Sequence, residues 1–235
     1  MQTQPELPRT SHATSKFSIP TLVSMALLCA LSLVVTFVCN FIPPVAGILS
    51  FDLKGVVLAI GGFLFGPVPA FFTALAAALI EMVSFSGTGP IGMVMNLLAA
   101  VVFVCPAAYI YKKKHTLSGA VVGLVIGTLL MTGAMLLWNY LITPIYMMVP
   151  REVVTGMLLP VFLPFNLVKG GLNTVLTILL YKPVVNALRK AHLAPATKAG
   201  KEGGSARRLG LGHVLVAIVV LATLVFFALV LMKVI

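Results

Sequence analysis

Long uninterrupted runs of apolar side chains constrain this chain more than any other feature. The first, from about Ile19 to Phe41, passes 20 residues without a charge. A helix rises 1.5 Å per residue, so ~20 apolar residues cross a hydrocarbon core about 30 Å thick. Several comparable runs follow, and with 60% of the 235 residues hydrophobic and only 9% charged, a water-soluble fold lacks the polar surface to cover them. The chain reads as an all-α integral membrane protein, because a helix satisfies its own backbone groups inside lipid.

Punctuation between the runs sets the number of spans. Proline has no N–H to donate and clashes with the preceding turn, so Pro43-Pro44 ends the first span. The stretch from Gly55 to Val83 is interrupted by Gly66-Pro67-Val68-Pro69 and reads either as one kinked helix or as two short spans. Two spans, near 53–66 and 68–83, bring Lys112-Lys113-Lys114 to the side of a cytoplasmic amino terminus, where basic residues accumulate. Ser84 to Gly92 is then an outer loop, with further spans at about 92–111, 117–146 and 157–186 and a second outer loop from Val149 to Thr155. The expected organisation is a polar cytoplasmic tail over 1–18, a six-helix bundle over 19–186, a basic cytoplasmic linker over 187–209 and an additional transmembrane helix over 210–235.

The formal net charge of +11 does not point to nucleic acid. Its lysines and arginines sit between apolar blocks, as topology signals do, rather than on one face with interleaved aromatics. Cys29, Cys39 and Cys105 lie within or at the ends of apolar segments with no CxxC spacing, and read as small buried hydrophobes; no metal site or cofactor is expected. The first apolar block is longer than the core of a secretory signal and follows a Ser/Thr/Pro-rich tail, so it is expected to be retained. The five acidic residues are scattered over separate segments, and HExxH, GxSxG and P-loop patterns are absent. These features argue against an enzyme, and any active transport must draw its energy from another subunit.

Polar side chains inside lipid cost a few kcal/mol on insertion scales and are functional candidates by default. Asn166 and Lys169, three apart in the last span of the bundle, share a helix face. Pro160 and Pro164 precede them and loosen the helix, which offers a backbone carbonyl to a ligand. Asn139 and Tyr140 end the fifth span, Asn96 lies in the fourth, Asn40 ends the first, and Asp52 with Lys54 closes the first loop. Topology places all of them in the outer half of the membrane or just above it. Amides, one deep cation and a few aromatics suit a polar heterocycle with hydrogen-bonding edges. Glu81 reads as an interfacial residue, Asp52 and Lys54 as a surface pair worth less than ~1 kcal/mol, and Tyr109, Tyr111 and Tyr146 as an interfacial belt.

The order of these elements resembles a known family. Phe51-Asp52-Leu53-Lys54 opening the second span, Phe65-Gly66-Pro67 at the inner turn and Thr88-Gly89-Pro90-Ile91-Gly92 leading to Asn96 are similar to the substrate-binding S components of energy-coupling factor (ECF) vitamin transporters. Asn139-Tyr140 followed by Pro144 and Tyr146, with Leu163-Pro164-Phe165-Asn166-Leu167-Val168-Lys169-Gly170, resembles the riboflavin-specific branch. The resemblance covers about residues 20–190 and implies a six-helix S component, to which the last apolar block adds a seventh transmembrane helix. It implies riboflavin as the captured ligand and, as partners, a transmembrane coupling subunit and two ATPase subunits in the cell membrane. It further implies that Asn166 and Lys169 bond the polar edge of the isoalloxazine, and that Asn139, Asn40 and Asn96 contact the ring or ribityl chain. The loop from Pro44 to Phe51, with Ala46, Gly47, Ile48 and Phe51, would lid the pocket beside Asp52 and Tyr140. Small residues at four-residue spacing on the first helix, Ala26 and Ala30, would meet the coupling subunit. Rival readings are an S component for another vitamin or modified base, a membrane-embedded enzyme acting on lipids or isoprenoids, and a structural membrane protein.

Overall fold

The computed structural model describes residues 18–45, 47, 49–191, 193, 220–225, 227 and 230. Its elements are α1 (Ile19–Cys39), α2 (Lys54–Phe65), α3 (Pro67–Ser84), α4 (Gly89–Lys114), α5 (Leu117–Leu141), α6 (Thr143–Met147), α7 (Arg151–Met157), a π-helical segment Leu158–Phe162, and α8 (Leu163–Lys190). Five stretches of described residues are long and apolar enough to cross a membrane: α1, α3, α4, α5 and the run Arg151–Lys190. α2 is a shorter apolar helix. It is the central element, buried along almost its whole length and packed against α1, α3, α4 and α8.

The Gly66-Pro67 break divides one apolar run into two helices. Gly66 adopts φ +95, a left-handed conformation that costs other residues sterically, and Pro67 supplies the fixed φ suited to a first helical turn. The division of Gly55–Val83 into two helices at the Gly-Pro break therefore matches the backbone, although α2, at 12 residues, is shorter than the expected span.

Helix contact in lipid has no hydrophobic drive between apolar faces, so close backbone approach does the packing. Gly119, Gly123 and Gly127 recur every four residues along α5. A Cβ added at Gly123 would lie 2.9 Å from the carbonyl oxygen of Ala107, and one at Gly127 would run into the carbonyl of Phe103. These two glycines let α4 and α5 touch backbone to backbone. On α1, Ser32 and Thr36 are buried and donate to the carbonyls of Cys29 and Ser32, which satisfies their hydroxyls without a partner helix.

Several boundaries differ from the sequence expectation. α4 starts at Gly89, inside the expected outer loop, and the fifth span ends at Leu141, with Thr143–Met147 forming a separate turn of helix. The expected outer loop over 149–155 is largely helical, as α7 begins at Arg151. Proline explains the difference, because it tolerates the first helical turn: Pro144 stands at the start of α6 and Pro150 just before α7, whereas Pro160 and Pro164 lie inside the continuous helical run Arg151–Lys190, within and just after its π-helical segment. α8 runs to Lys190, past the expected start of the linker. Tyr111 is not a belt residue: it is buried at 4.5 Å between centroids from Phe63, and its hydroxyl lies 2.9 Å from that of Tyr181. Cys29 and Cys39 are buried and all three thiols are free, as small hydrophobes would be.

The expected tail over 1–18 lies outside the described residues except for Ser18, as does nearly all of the linker beyond Ala191. Of the expected extra helix over 210–235, residues 220–225 are described and helical. Leu221 and Leu224 pack against the cluster of Val45, Phe51, Phe165, Val168 and Leu172.

Candidate functional site

Chain reversal brings the end of α1 and the starts of α2, α4 and α8 to one end of the bundle, together with the ends of α3 and α5. There the loop between α1 and α2 folds back on itself. Val45 and Leu49 exchange both backbone hydrogen bonds, at 2.8 and 3.0 Å, around Gly47, whose φ of +76 favours glycine. Phe51 then anchors the loop to α8, its ring centroid 5.0 Å from that of Phe165.

Behind this anchor lies a narrow cleft with about 20 Å³ of free room, enough for a single water. Its polar lining is Asp52, Lys54, Asn96, Lys169 and Asn173, and its apolar wall includes Phe103 and Met131. The charges form a chain. Lys54 Nζ lies 2.6 Å from Glu81 Oε2 and 3.1 Å from Asp52 Oδ2, and Lys169 Nζ lies 4.0 Å from the same Asp52 oxygen. Asn96 donates to Glu81 Oε1 at 2.9 Å, and the backbone N–H of Lys54 donates to Asp52 Oδ1 at 2.8 Å. Two ammoniums face two carboxylates, so the group is neutral as a whole, the arrangement that makes buried charge tolerable.

These distances overturn two sequence readings. Glu81 is not interfacial: it is 7% exposed and bonded on both oxygens. Asp52 and Lys54 do pair, but inside the bundle, with Lys54 5% exposed. Sequence reasoning also missed Asn173. Its buried amide donates to the carbonyls of Asp52 at 3.1 Å and Lys169 at 2.9 Å. The signal was available, since Asn166, Lys169 and Asn173 follow one another at helical spacing along one face of α8.

The remaining predicted residues divide. Asn166 is buried on α8, and its amide donates to the carbonyl of Phe162 at 2.8 Å. Asn139 is buried but turned to its own segment, donating to Met135 O and accepting from Thr143 Oγ1. Neither lines the cleft. Tyr140 is exposed, with the Arg151 guanidinium 5.2 Å from its ring centroid, and Asn40 is exposed at the end of α1. Ala46 and Ile48 lie outside the described residues. Ala26 and Ala30 are exposed on α1 beside Leu22, Val23 and Leu27. Among the described residues no group of His, Cys, Asp and Glu has the spacing to hold a metal ion.

An apolar multi-helix bundle with a polar, charge-balanced cleft opening at one end defines a membrane-embedded binding component of a transporter. The chain belongs to the family of ECF transporter substrate-specific components, whose profile matches residues 20–181. It is similar to the riboflavin transporter RibU of Staphylococcus aureus, 32% identical over 72% of this chain and 92% of that one. It also matches the riboflavin transporter FmnP of Bacillus subtilis, at 28% identity over 73% and 97% of the two chains. A solved S component of a bacterial ECF transporter superposes with a TM-score of 0.60 at 33% identity, over 72% of this chain and 97% of that one.

Proposed function

We propose that this chain captures riboflavin at the outer face of the cell membrane for uptake driven by partner ATPases. The observation that carries the reading is the ammonium of Lys169, held inside the bundle beside a cleft at the end of the helices and 4.0 Å from Asp52. A cation that deep is retained at a cost of a few kcal/mol, and a ligand with carbonyl acceptors is the partner such a site suits. Lys169 addresses the polar edge of the flavin ring, Asn96 and Asn173 offer further amides, and Phe103 with Met131 supplies an apolar wall; Asn166, outside the cleft, joins them only if its amide turns away from Phe162. The names of the relatives favour riboflavin over another vitamin, and a transporter component over a lipid-modifying enzyme.

The cleft as it stands has about 20 Å³ of free room, far below the ~300–1,000 Å³ of small-molecule sites. The loop carrying Gly47 and Phe51 must therefore swing outward to admit a vitamin and then close over it. The amino terminus lies in the cytoplasm, because the helix ends that carry Lys112, Lys113, Lys114, Arg189 and Lys190 are at the end where α1 begins. The exposed Ala26 and Ala30 give α1 a face on which a coupling subunit's helix can approach closely. The test is the visible absorption of protein purified from cells supplied with riboflavin. The expected result is a yellow preparation that releases riboflavin on denaturation; a colourless preparation that stays so after addition of riboflavin contradicts the reading.

A further inference from the structure

Glu81 does not line the cleft, yet it is the most closely paired acid in the bundle. Lys54 and Lys169 both approach Oδ2 of Asp52, while Oδ1 accepts the backbone N–H of Lys54 and lies 3.5 Å from Thr36 Oγ1. One carboxylate oxygen therefore serves two ammoniums. The division between them depends on Glu81, whose 2.6 Å contact neutralises Lys54 and leaves Asp52 partly available to Lys169. From the geometry we infer that Glu81 and Lys54 are positioning residues for Lys169, acting through the shared oxygen of Asp52. Asn96, on α4, holds the other oxygen of Glu81, so α3, α4, α2, the α1–α2 loop and α8 form one connected unit.

The consequence follows from charge balance. Removing the charge of Glu81 leaves Lys54 with Asp52 alone; Lys54 closes on Oδ2, and Lys169 keeps a charge with no partner in a low-dielectric site. The groups facing Lys169 from the surrounding elements are Asp52, Lys54, Glu81 and the thiol of Cys39, so no other carboxylate is at hand to replace Asp52.

This inference rests on the riboflavin reading for one of its two tests. The first is a double-mutant cycle on riboflavin affinity with Glu81→Gln, Lys169→Ala and the double variant. Glu81→Gln is expected to weaken binding about tenfold in the parent and less than about twofold in the Lys169→Ala background, the non-additivity of residues in one network. An equal loss in both backgrounds means Glu81 is merely structural, and overturns the inference. Glu81→Asp, which keeps the charge, is expected to recover most of the affinity. The second test needs no ligand: the pH dependence of Lys169 acetylation by acetic anhydride, read by peptide mass. Glu81→Gln should move the midpoint to lower pH, and Glu81→Asp should move it less; an unchanged midpoint overturns the inference. If the parent binds no riboflavin, or Lys169→Ala binds too weakly to measure, the acetylation midpoint alone decides.

Discussion

The side-chain amide of Asn173 on α8 donates to the backbone carbonyl of Asp52, 121 residues earlier, at 3.1 Å. This bond fixes the residue that precedes α2 against the helix carrying Lys169. It also explains a glycine. A Cβ at Gly55 would lie 2.7 Å from Asn173 Oδ1, so α2 must be bare at its second position for the amide to fit.

Replacing Asn173 by Leu removes the donor and leaves a buried carbonyl unpaired, a cost of about 1–3 kcal/mol. For a chain of this size that corresponds to a fall in thermal midpoint of roughly 2–4 °C per kcal/mol. Gly55→Ala should cost a similar amount through overpacking. Combined with Asn173→Ala it should cost less than the sum of the two, since the second change removes the atom the first collides with. Thermal unfolding of the four variants in detergent checks this, and strict additivity would show that the two residues are not in contact.

Phe51 holds the α1–α2 loop to α8 through Phe165, at the edge of the cleft. Truncation of a buried Phe costs about 3–5 kcal/mol when the whole fold bears the loss. Here a loop bears it, so Phe51→Ala should act mainly on access. The expected outcome is riboflavin dissociation faster by about tenfold or more, with a comparatively small change in thermal midpoint. Stopped-flow release measurements test this; an unchanged rate would remove the loop from the gating role.

The spans were legible because they depend on composition along the chain, which a sequence displays directly. Gly66-Pro67 was legible for the same reason, as was Lys169, a charge too far into an apolar run to be ordinary. What stayed hidden depends on direction around a helix axis and on partners far away in sequence. Lys54 and Glu81 each sit near a helix end, which alone suggests an interface; only the packing of α2 against α3 turns them 2.6 Å apart and into the interior. Asn139 illustrates the converse. It has the right residue type at the right depth, yet its amide is occupied by Met135 and Thr143 of its own segment. The stretch from Val149 to Thr155 was misread as a loop because proline marks helix starts as well as helix stops, and Pro150 here stands just before α7.

The most direct measurement is a titration of the purified protein with riboflavin, followed by quenching of flavin fluorescence, for the parent and for Lys169→Ala. A tight one-to-one complex is predicted for the parent, with affinity reduced at least about a hundredfold in the variant, as expected when a charge-assisted hydrogen bond is lost and Asp52 is left short of a partner. Equal affinity in the two proteins would contradict the claim that the buried ammonium of Lys169 is kept in the membrane to hold the vitamin.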